Sequence, residues 1–255
     1  MKKIIYPSII MMLFNLSLKA QSNTAVFEKH VFQNGDSELP YRLLKPHEIK
    51  KGKKYPLLVF LHGAGERGDD NEAQLKYISD LLLDEKNRKD FPAYVLIPQC
   101  PKDLWWVDFD RGFTTHTLKE NPTPPMAAVI ALLDEIENKE AIDKQRIYVS
   151  GLSMGGFGTW DLIARFPNRF AAAAPICGGA DVNTAAKIAH MPIWNFHGAD
   201  DAVVKVDWSR NMMEALKAVN GNIKYTEYPG VNHDSWNNAF AEPDFLKWMF
   251  SKKLK

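Results

Sequence analysis

One serine stands where a serine can serve as a nucleophile. Gly151-Leu152-Ser153-Met154-Gly155 lies between an apolar run ending at Ser150 and a stretch of helical spacing from Met154 to Arg165. At a strand-to-helix junction, a G-x-S-x-G sequence lifts the serine hydroxyl out of a sharp turn. The turn leaves no room for bulky neighbours, so glycines flank the serine, and Gly156 and Gly158 let the helix approach the sheet closely. The N-terminus of that helix also places positive partial charge beside a developing oxyanion. The bare pattern arises by chance in roughly one chain in ten of this length. Its weight therefore comes from its position between strand and helix.

A serine hydroxyl attacks only when a base takes its proton, and the base is usually a histidine held in one tautomer by a carboxylate. With the nucleophile on such an elbow, the order along the chain is Ser, then Asp or Glu, then His. Of His190, His197 and His233, only His233 falls late enough, in Gly230-Val231-Asn232-His233-Asp234 beyond the last strand. His190 precedes Met191-Pro192 at the wrong end of a strand, and His197 directly ends a strand and is read as shaping the loop. Asp200 and Asp201 both follow that strand; the spacing from His197-Gly198 and the following Val203-Val204 favour Asp201. Asp207 reads as a helix N-cap. The oxyanion donors are expected to be the backbone N–H of Met154 and one from the loop Leu61-His62-Gly63-Ala64-Gly65-Glu66-Arg67-Gly68, with Ala64 favoured and Gly65 as the alternative. These groups amount to acyl transfer through a covalent serine intermediate. The base works only when neutral, so the rate should fall in acid.

The elements that must carry these groups alternate along the chain. Val26–Phe32 and Tyr41–Leu44 read as short strands around Asn34-Gly35-Asp36. Leu57–Leu61, Ala93–Ile97, Arg146–Ser150, Phe170–Ile176 and Ile193–Phe196 are apolar runs of the kind buried in a parallel sheet. Ile223–Tyr228 alternates like an edge strand. Helical spacing covers Asn71–Leu83, Met126–Ile136 after Pro124-Pro125, Met154–Arg165, Ser209–Val219 before Asn220-Gly221, and Phe245–Phe250. Alternating strands and helices imply an α/β fold with a mostly parallel central sheet and helices on both faces. In such sheets functional groups gather at the carboxyl ends of the strands, where the serine, the acid and the histidine all fall.

Composition sets the outer bounds. With 45% hydrophobic and 25% charged residues in 255, the chain can bury the core of one large domain. A formal net charge of +1 argues against a dedicated nucleic-acid partner, which needs a basic excess. Met1-Lys2-Lys3, the apolar Ile4–Leu18 and the small Ala20 read as a secretory signal peptide over residues 1–20, leaving 21–255 as a single catalytic domain. Pro7, Ser8, Asn15 and Ser17 interrupt the apolar run, so no stable membrane insertion is expected after cleavage. The lack of a cysteine near residue 20 counts against a lipid anchor. Export to the periplasm or the medium follows.

Together with Pro98-Gln99-Cys100-Pro101 and Ala174-Pro175-Ile176-Cys177-Gly178-Gly179, these motifs resemble the α/β-hydrolase superfamily across nearly all of the mature chain. They are most similar to the predicted-peptidase or phospholipase/carboxylesterase-like group and to the feruloyl and acetyl xylan esterases of carbohydrate esterase family 1. The resemblance implies an α/β-hydrolase fold without a large lid domain, and ester hydrolysis with no metal or organic cofactor. Dienelactone hydrolases are related but use a cysteine nucleophile, and Ser153 counts against that activity. In the family's strand order the strands carrying Cys100 and Cys177 are separated by two others, which implies two free, largely buried thiols.

The longest irregular stretch, Pro101 to Pro125, follows a strand at the catalytic end and holds Trp105, Trp106, Phe109 and Phe113. Sugar rings and aromatic acyl groups both pack on aromatic faces. Trp106 is the first choice for a substrate contact, with Trp105 beside it and Trp236 just past the histidine loop. Asp181–Ala189 is long enough only for a short helix, so the site should be open and suited to bulky or polysaccharide-linked esters. The expected activity is a serine carboxylic-ester hydrolase, feruloyl or acetyl in type. Two rivals are a serine peptidase on the same fold and a non-catalytic carbohydrate-binding protein with a vestigial triad. A polyester depolymerase is a further possibility.

Overall fold

The computed structural model describes residues 24–35, 37–108 and 116–254. The expected signal peptide, and Phe109 and Phe113 of the aromatic loop, lie outside these residues. Eight strands form one sheet: β1 (Phe27–Asn34), β2 (Ser37–Leu44), β3 (Tyr55–Leu61), β4 (Tyr94–Pro98), β5 (Ile142–Leu152), β6 (Ala172–Ile176), β7 (Ile193–Gly198) and β8 (Ile223–Tyr228). Their order is β1-β2-β4-β3-β5-β6-β7-β8. The β1–β2 and β2–β4 pairs are antiparallel and the other five are parallel. The architecture is the α/β-hydrolase fold expected from the motifs.

Two apolar layers sandwich the sheet, and β3 shows why its sequence is continuously apolar. Leu57, Val59 and Leu61 point into one core, and Leu58 and Phe60 into the other, as a strand's two-residue period requires. Every residue of β3 is buried. The first core is closed by α3 (Pro124–Lys139), α4 (Met154–Arg165) and α6 (Asp207–Ala218) through residues such as Val129, Trp160 and Met212. The second is closed by α1 (Ser79–Leu83), α7 (Trp236–Ala241) and α8 (Phe245–Phe250) through Leu82, Ala239 and Met249. Thr123 caps α3 by accepting the Met126 N–H, and Pro124 and Pro125 occupy the positions where a missing N–H costs nothing.

Three local expectations change. The helix expected over 71–83 is broken: Asn71 adopts φ 54° and donates its N–H to Gln99 Oε1 at 2.6 Å, so the chain turns there. A 3₁₀ turn at Ala73–Leu75 follows before α1 begins. The helix α2 (Glu85–Asp90) was not anticipated because it buries no residue and so carries no apolar stripe; Asp84 starts it by accepting the Asn87 N–H. Asp207 is the first residue of α6, with Val206 at the cap position. Between β6 and β7 there is only a 3₁₀ turn at Val182–Thr184 and the short α5 (Ala185–Ile188), as the sequence implied. Among the described residues, no helix is long and apolar enough to cross a membrane.

Cys100 follows β4 and Cys177 follows β6, with β3 and β5 between their strands. Both thiols are free and fully buried. Burial pushes the Cys100 thiol up to about 12 and also raises that of Cys177, so neither offers a thiolate at neutral pH. Iodoacetamide is therefore expected to leave the native protein unmodified and to add two groups after denaturation without reductant. A mass spectrum showing no addition under those conditions would mean a disulfide.

Candidate active site

The site is built at the carboxyl ends of β5, β7 and β8. Ser153 sits between β5 and α4 with φ 53° and ψ −116°, a backbone conformation that side chains rarely adopt. Holding a non-glycine residue there costs on the order of 1–3 kcal/mol, so the surroundings must fix it. They do so through glycine. A Cβ on Gly155 would collide with the Leu61 carbonyl, and one on Gly151 would collide with the Gly155 carbonyl. The Ser153 N–H is taken by Ile176 O at 2.9 Å. Ser153 O accepts the Phe157 N–H at 3.1 Å, so both backbone groups are engaged within the fold and the hydroxyl is left for another side chain.

His233 Nε2 lies 2.9 Å from Ser153 Oγ, and His233 Nδ1 lies 2.7 Å from Asp201 Oδ2. A carboxylate can only accept, so Nδ1 carries the proton and Nε2 is free to accept from the serine. Asp201 rather than Asp200 occupies this position: Asp201 is buried, whereas Asp200 is exposed. The other carboxylate oxygen, Oδ1, accepts the Val203 and Val204 N–H groups at 2.8 Å each. Burial pushes the Asp201 carboxyl up, but hydrogen bonds from His197, His233 and Val204 outweigh it and hold the group well below the usual carboxylate range. Asn232 ties the two loops together, its Oδ1 accepting from Ala202 N–H at 3.1 Å and from His233 N–H at 2.8 Å.

Met154 is the first residue of α4, and Ala64 is the first residue of a 3₁₀ turn, Ala64–Glu66. First-turn N–H groups have no partner within their own helix, so both are placed to donate outward, and Gly65 shares that property. The loop is pinned by His62, which is 1% exposed. Its Nε2 accepts the Cys100 N–H at 2.9 Å and its Nδ1 donates to Gly63 O at 2.6 Å. Because a backbone N–H can only donate, this geometry requires neutral His62. Burial holds its imidazole down at about 4.

The aromatic contacts need one correction. Trp106 is wholly buried and cannot meet substrate. Its Nε1–H donates to His62 O at 3.1 Å, its carbonyl accepts from Thr123, and its ring meets His62 edge-on at 5.2 Å. It supports the loop from beneath, since a large indole gains most by full burial once its N–H has a partner. Trp105 is half-buried, carries the Arg67 guanidinium 4.4 Å over its ring, and lines a cavity of about 190 Å³ with Leu104, Val107 and Pro124. Arg67 Nε in turn donates to Ala64 O at 2.9 Å. Trp236 stands edge-on to His233 at 5.4 Å and tilts against Tyr77 at 5.1 Å. Sequence reasoning passed over Tyr77 and assigned no site contact to Arg67 or to Cys177, whose Sγ lies within 4.8 Å of ligating atoms of both Asp201 and His233. Arg67 and Cys177 stand in motifs that did not say where their side chains point, and Tyr77 stands in none.

Residues 47–247 match the family model described as phospholipase/carboxylesterase, and the chain belongs to that family. It is 28% identical over 238 residues to an uncharacterized secreted protein of Arthroderma benhamiae, covering 77% of this chain and 23% of that one. It is 30% identical over 151 residues to the bifunctional acetylxylan esterase/xylanase XynS20E of Neocallimastix patriciarum, covering 58% of this chain and 20% of the relative. Among solved structures, a thermostable esterase superposes with a TM-score of 0.83 at 38% identity, covering 91% of this chain and 64% of that one. The chain thus spans less than a quarter of the length of these two curated relatives.

Neutral His62 makes the loop sensitive to acid. The unfolded chain takes up this proton near 6.5 and the folded chain only near 4, so stability falls as pH drops through that window. The full loss is about 3 kcal/mol. Urea midpoints should decline between those pH values, and the His62 ring resonances should titrate near the lower one. Titration of that ring at the ordinary histidine value would contradict the assignment.

Proposed function

We propose that this member of the phospholipase/carboxylesterase family is a serine esterase acting through Ser153, His233 and Asp201. The observation that carries the reading is the continuous relay from a strained serine through His233 to a buried, ionised Asp201. In the proposed reaction His233 Nε2 takes the Ser153 proton as Oγ bonds to the ester carbonyl carbon. The N–H groups of Met154 and Ala64 then hold the oxyanion. Collapse breaks the bond to the alcohol, which leaves with the proton from His233. Water, deprotonated by the same imidazole, releases the acid and restores Ser153.

The substrate class we favour is an acyl ester on a bulky, polysaccharide-linked alcohol. The likeness to the acetylxylan esterase/xylanase of Neocallimastix patriciarum supports the acetyl form. The resemblance to feruloyl esterases and the aromatic neighbours Trp105 and Trp236 support the aromatic form. The short β6–β7 connection supports an open mouth. Export is part of the proposal: residues 1–20 are removed as a signal peptide and the protein works in the periplasm or the medium. N-terminal sequencing of the protein recovered from the envelope or medium is expected to begin at Gln21, and retention of Met1 would refute export by cleavage.

Hydrolysis of p-nitrophenyl acetate and methyl ferulate, with Ser153→Ala alongside, tests the core reading. The intact protein should turn over at least one ester, and Ser153→Ala should lower kcat by about 10⁴-fold or more. Ferulate preference assigns the aromatic side chains to an acyl pocket, whereas acetate alone directs the search to acetylated glycans. Failure on both esters, with cleavage of an anilide instead, would replace the esterase with the peptidase reading.

A further inference from the structure

His197 is fully buried at the end of β7 and takes no part in the reaction proposed above, yet it meets the same carboxylate oxygen as His233. Its Nε2 lies 2.9 Å from Val204 O and 3.3 Å from Asp201 Oδ2. Its Nδ1 lies 2.7 Å from Ser209 Oγ, the Ser209 hydroxyl being much farther from its alternative acceptors, Asn195 Oδ1 at 3.4 Å and Gly178 O at 3.5 Å. Two acceptors facing Nε2 require a proton there. The short contact at Nδ1 is then the Ser209 O–H donating to a lone pair. Ser209, from α6, thus selects the tautomer from the far side of the ring.

We propose that His197 is a positioning residue for the reaction, its Nε2–H shared between Val204 O and Asp201 Oδ2 so that Asp201 is anchored on the side opposite His233. This rests on the serine-esterase reading for its function, but its geometry stands independently. The consequences are two. The Nε2–H ties the carboxylate to the Val203–Val204 turn, which fixes the direction from which Oδ2 receives the His233 Nδ1–H. It also draws electron density from Oδ2, so His233 is held by an oxygen already partly engaged. The ionisable groups around this pair are Asp201 between the two rings, Cys177 within 4.8 Å of Asp201, Asp234 next to His233, and Glu227 on β8 paired with His197. Glu227 is engaged by Arg210 at 2.6 Å and by Tyr225 at 2.7 Å. Within this group, the close partners of Oδ2 are the two imidazoles.

Two-bond ¹⁵N–¹H correlation spectra of the intact protein test the tautomer directly. His197 should show a protonated Nε2 and an unprotonated Nδ1; the opposite tautomer would turn a lone pair toward Asp201 and overturn the proposal. The His197→Phe variant removes the N–H while keeping a ring, and His197→Gln restores a donor near the Nε2 position. For an ester the intact protein hydrolyses, His197→Phe should lower kcat by about tenfold with KM within about twofold. His197→Gln should recover most of the loss. The downfield proton of His233 Nδ1–H should move in the Phe variant and return in the Gln variant. A folded Phe variant with unchanged kcat and an unmoved proton would overturn the role. The two spectroscopic readouts need no substrate, so they separate failure of this inference from failure of the esterase reading, which only the ester assays address. If the Phe variant does not fold, the tautomer in the intact protein decides.

Discussion

A negative charge held out of water organises this site. Removing a carboxylate from solvent costs several kcal/mol unless hydrogen bonds replace its hydration. Asp201 recovers that cost through donors drawn from different elements: Val203 and Val204 in its own turn, His197 on β7 and His233 beyond β8. Each donor is therefore held where it is by the same charge that needs it. Asn232 joins the two loops, bonding to Ala202 beside Asp201 and to the backbone of His233. The tautomer of His233, and with it the direction of its free lone pair toward Ser153, follows from this single buried ion.

The elbow at Ser153 stores strain that a lone turn would relax. Here the backbone of β3 and the N-terminus of α4 approach so closely that only glycine fits at 151 and 155. The serine is trapped between them, with its own N–H spent on β6. The close approach also brings the loop after β3 alongside the elbow, where a Cβ on Gly63 would meet Leu152 and one on Gly155 would meet His62 O. Tight packing of the sheet centre and the placement of the proposed oxyanion loop are one constraint rather than two.

Those features were legible in the sequence because each depends on local residue types in chain order. Gly-x-Ser-x-Gly after an apolar strand, a late histidine and an aspartate beyond β7 leave few other arrangements. The two free cysteines followed from the strand order that the family resemblance implies. What sequence could not separate was Trp105 from Trp106. Adjacent indoles in an irregular loop have no period to say which faces inward, and the partner that draws Trp106 into the core, the His62 carbonyl, lies 44 residues away in sequence. The break at Asn71 was hidden for the same reason, since Gln99 supplies the acceptor that turns the chain. His197 was visible as a residue that shapes a loop, but its link to Asp201 depends on Ser209, an ordinary helix residue by pattern.

The buried position of Trp106 alters how specificity and chemistry are divided. Trp106 holds His62, His62 holds the Gly63 carbonyl, and Arg67 spans from the Trp105 ring to the Ala64 carbonyl. The loop after β4 therefore holds the loop after β3 at two points, His62 and Arg67, on either side in sequence of the Ala64 turn. A change at position 105 alters the wall of the adjoining cavity and, through Arg67, the peptide that precedes Gly65. In the proposed esterase, a substrate contact at Trp105 would be linked through Arg67 to the Ala64 turn, whereas one at Trp236 would be linked to His233. An acyl group pressing on Trp105 and an alcohol pressing on Trp236 would act on different parts of the same relay.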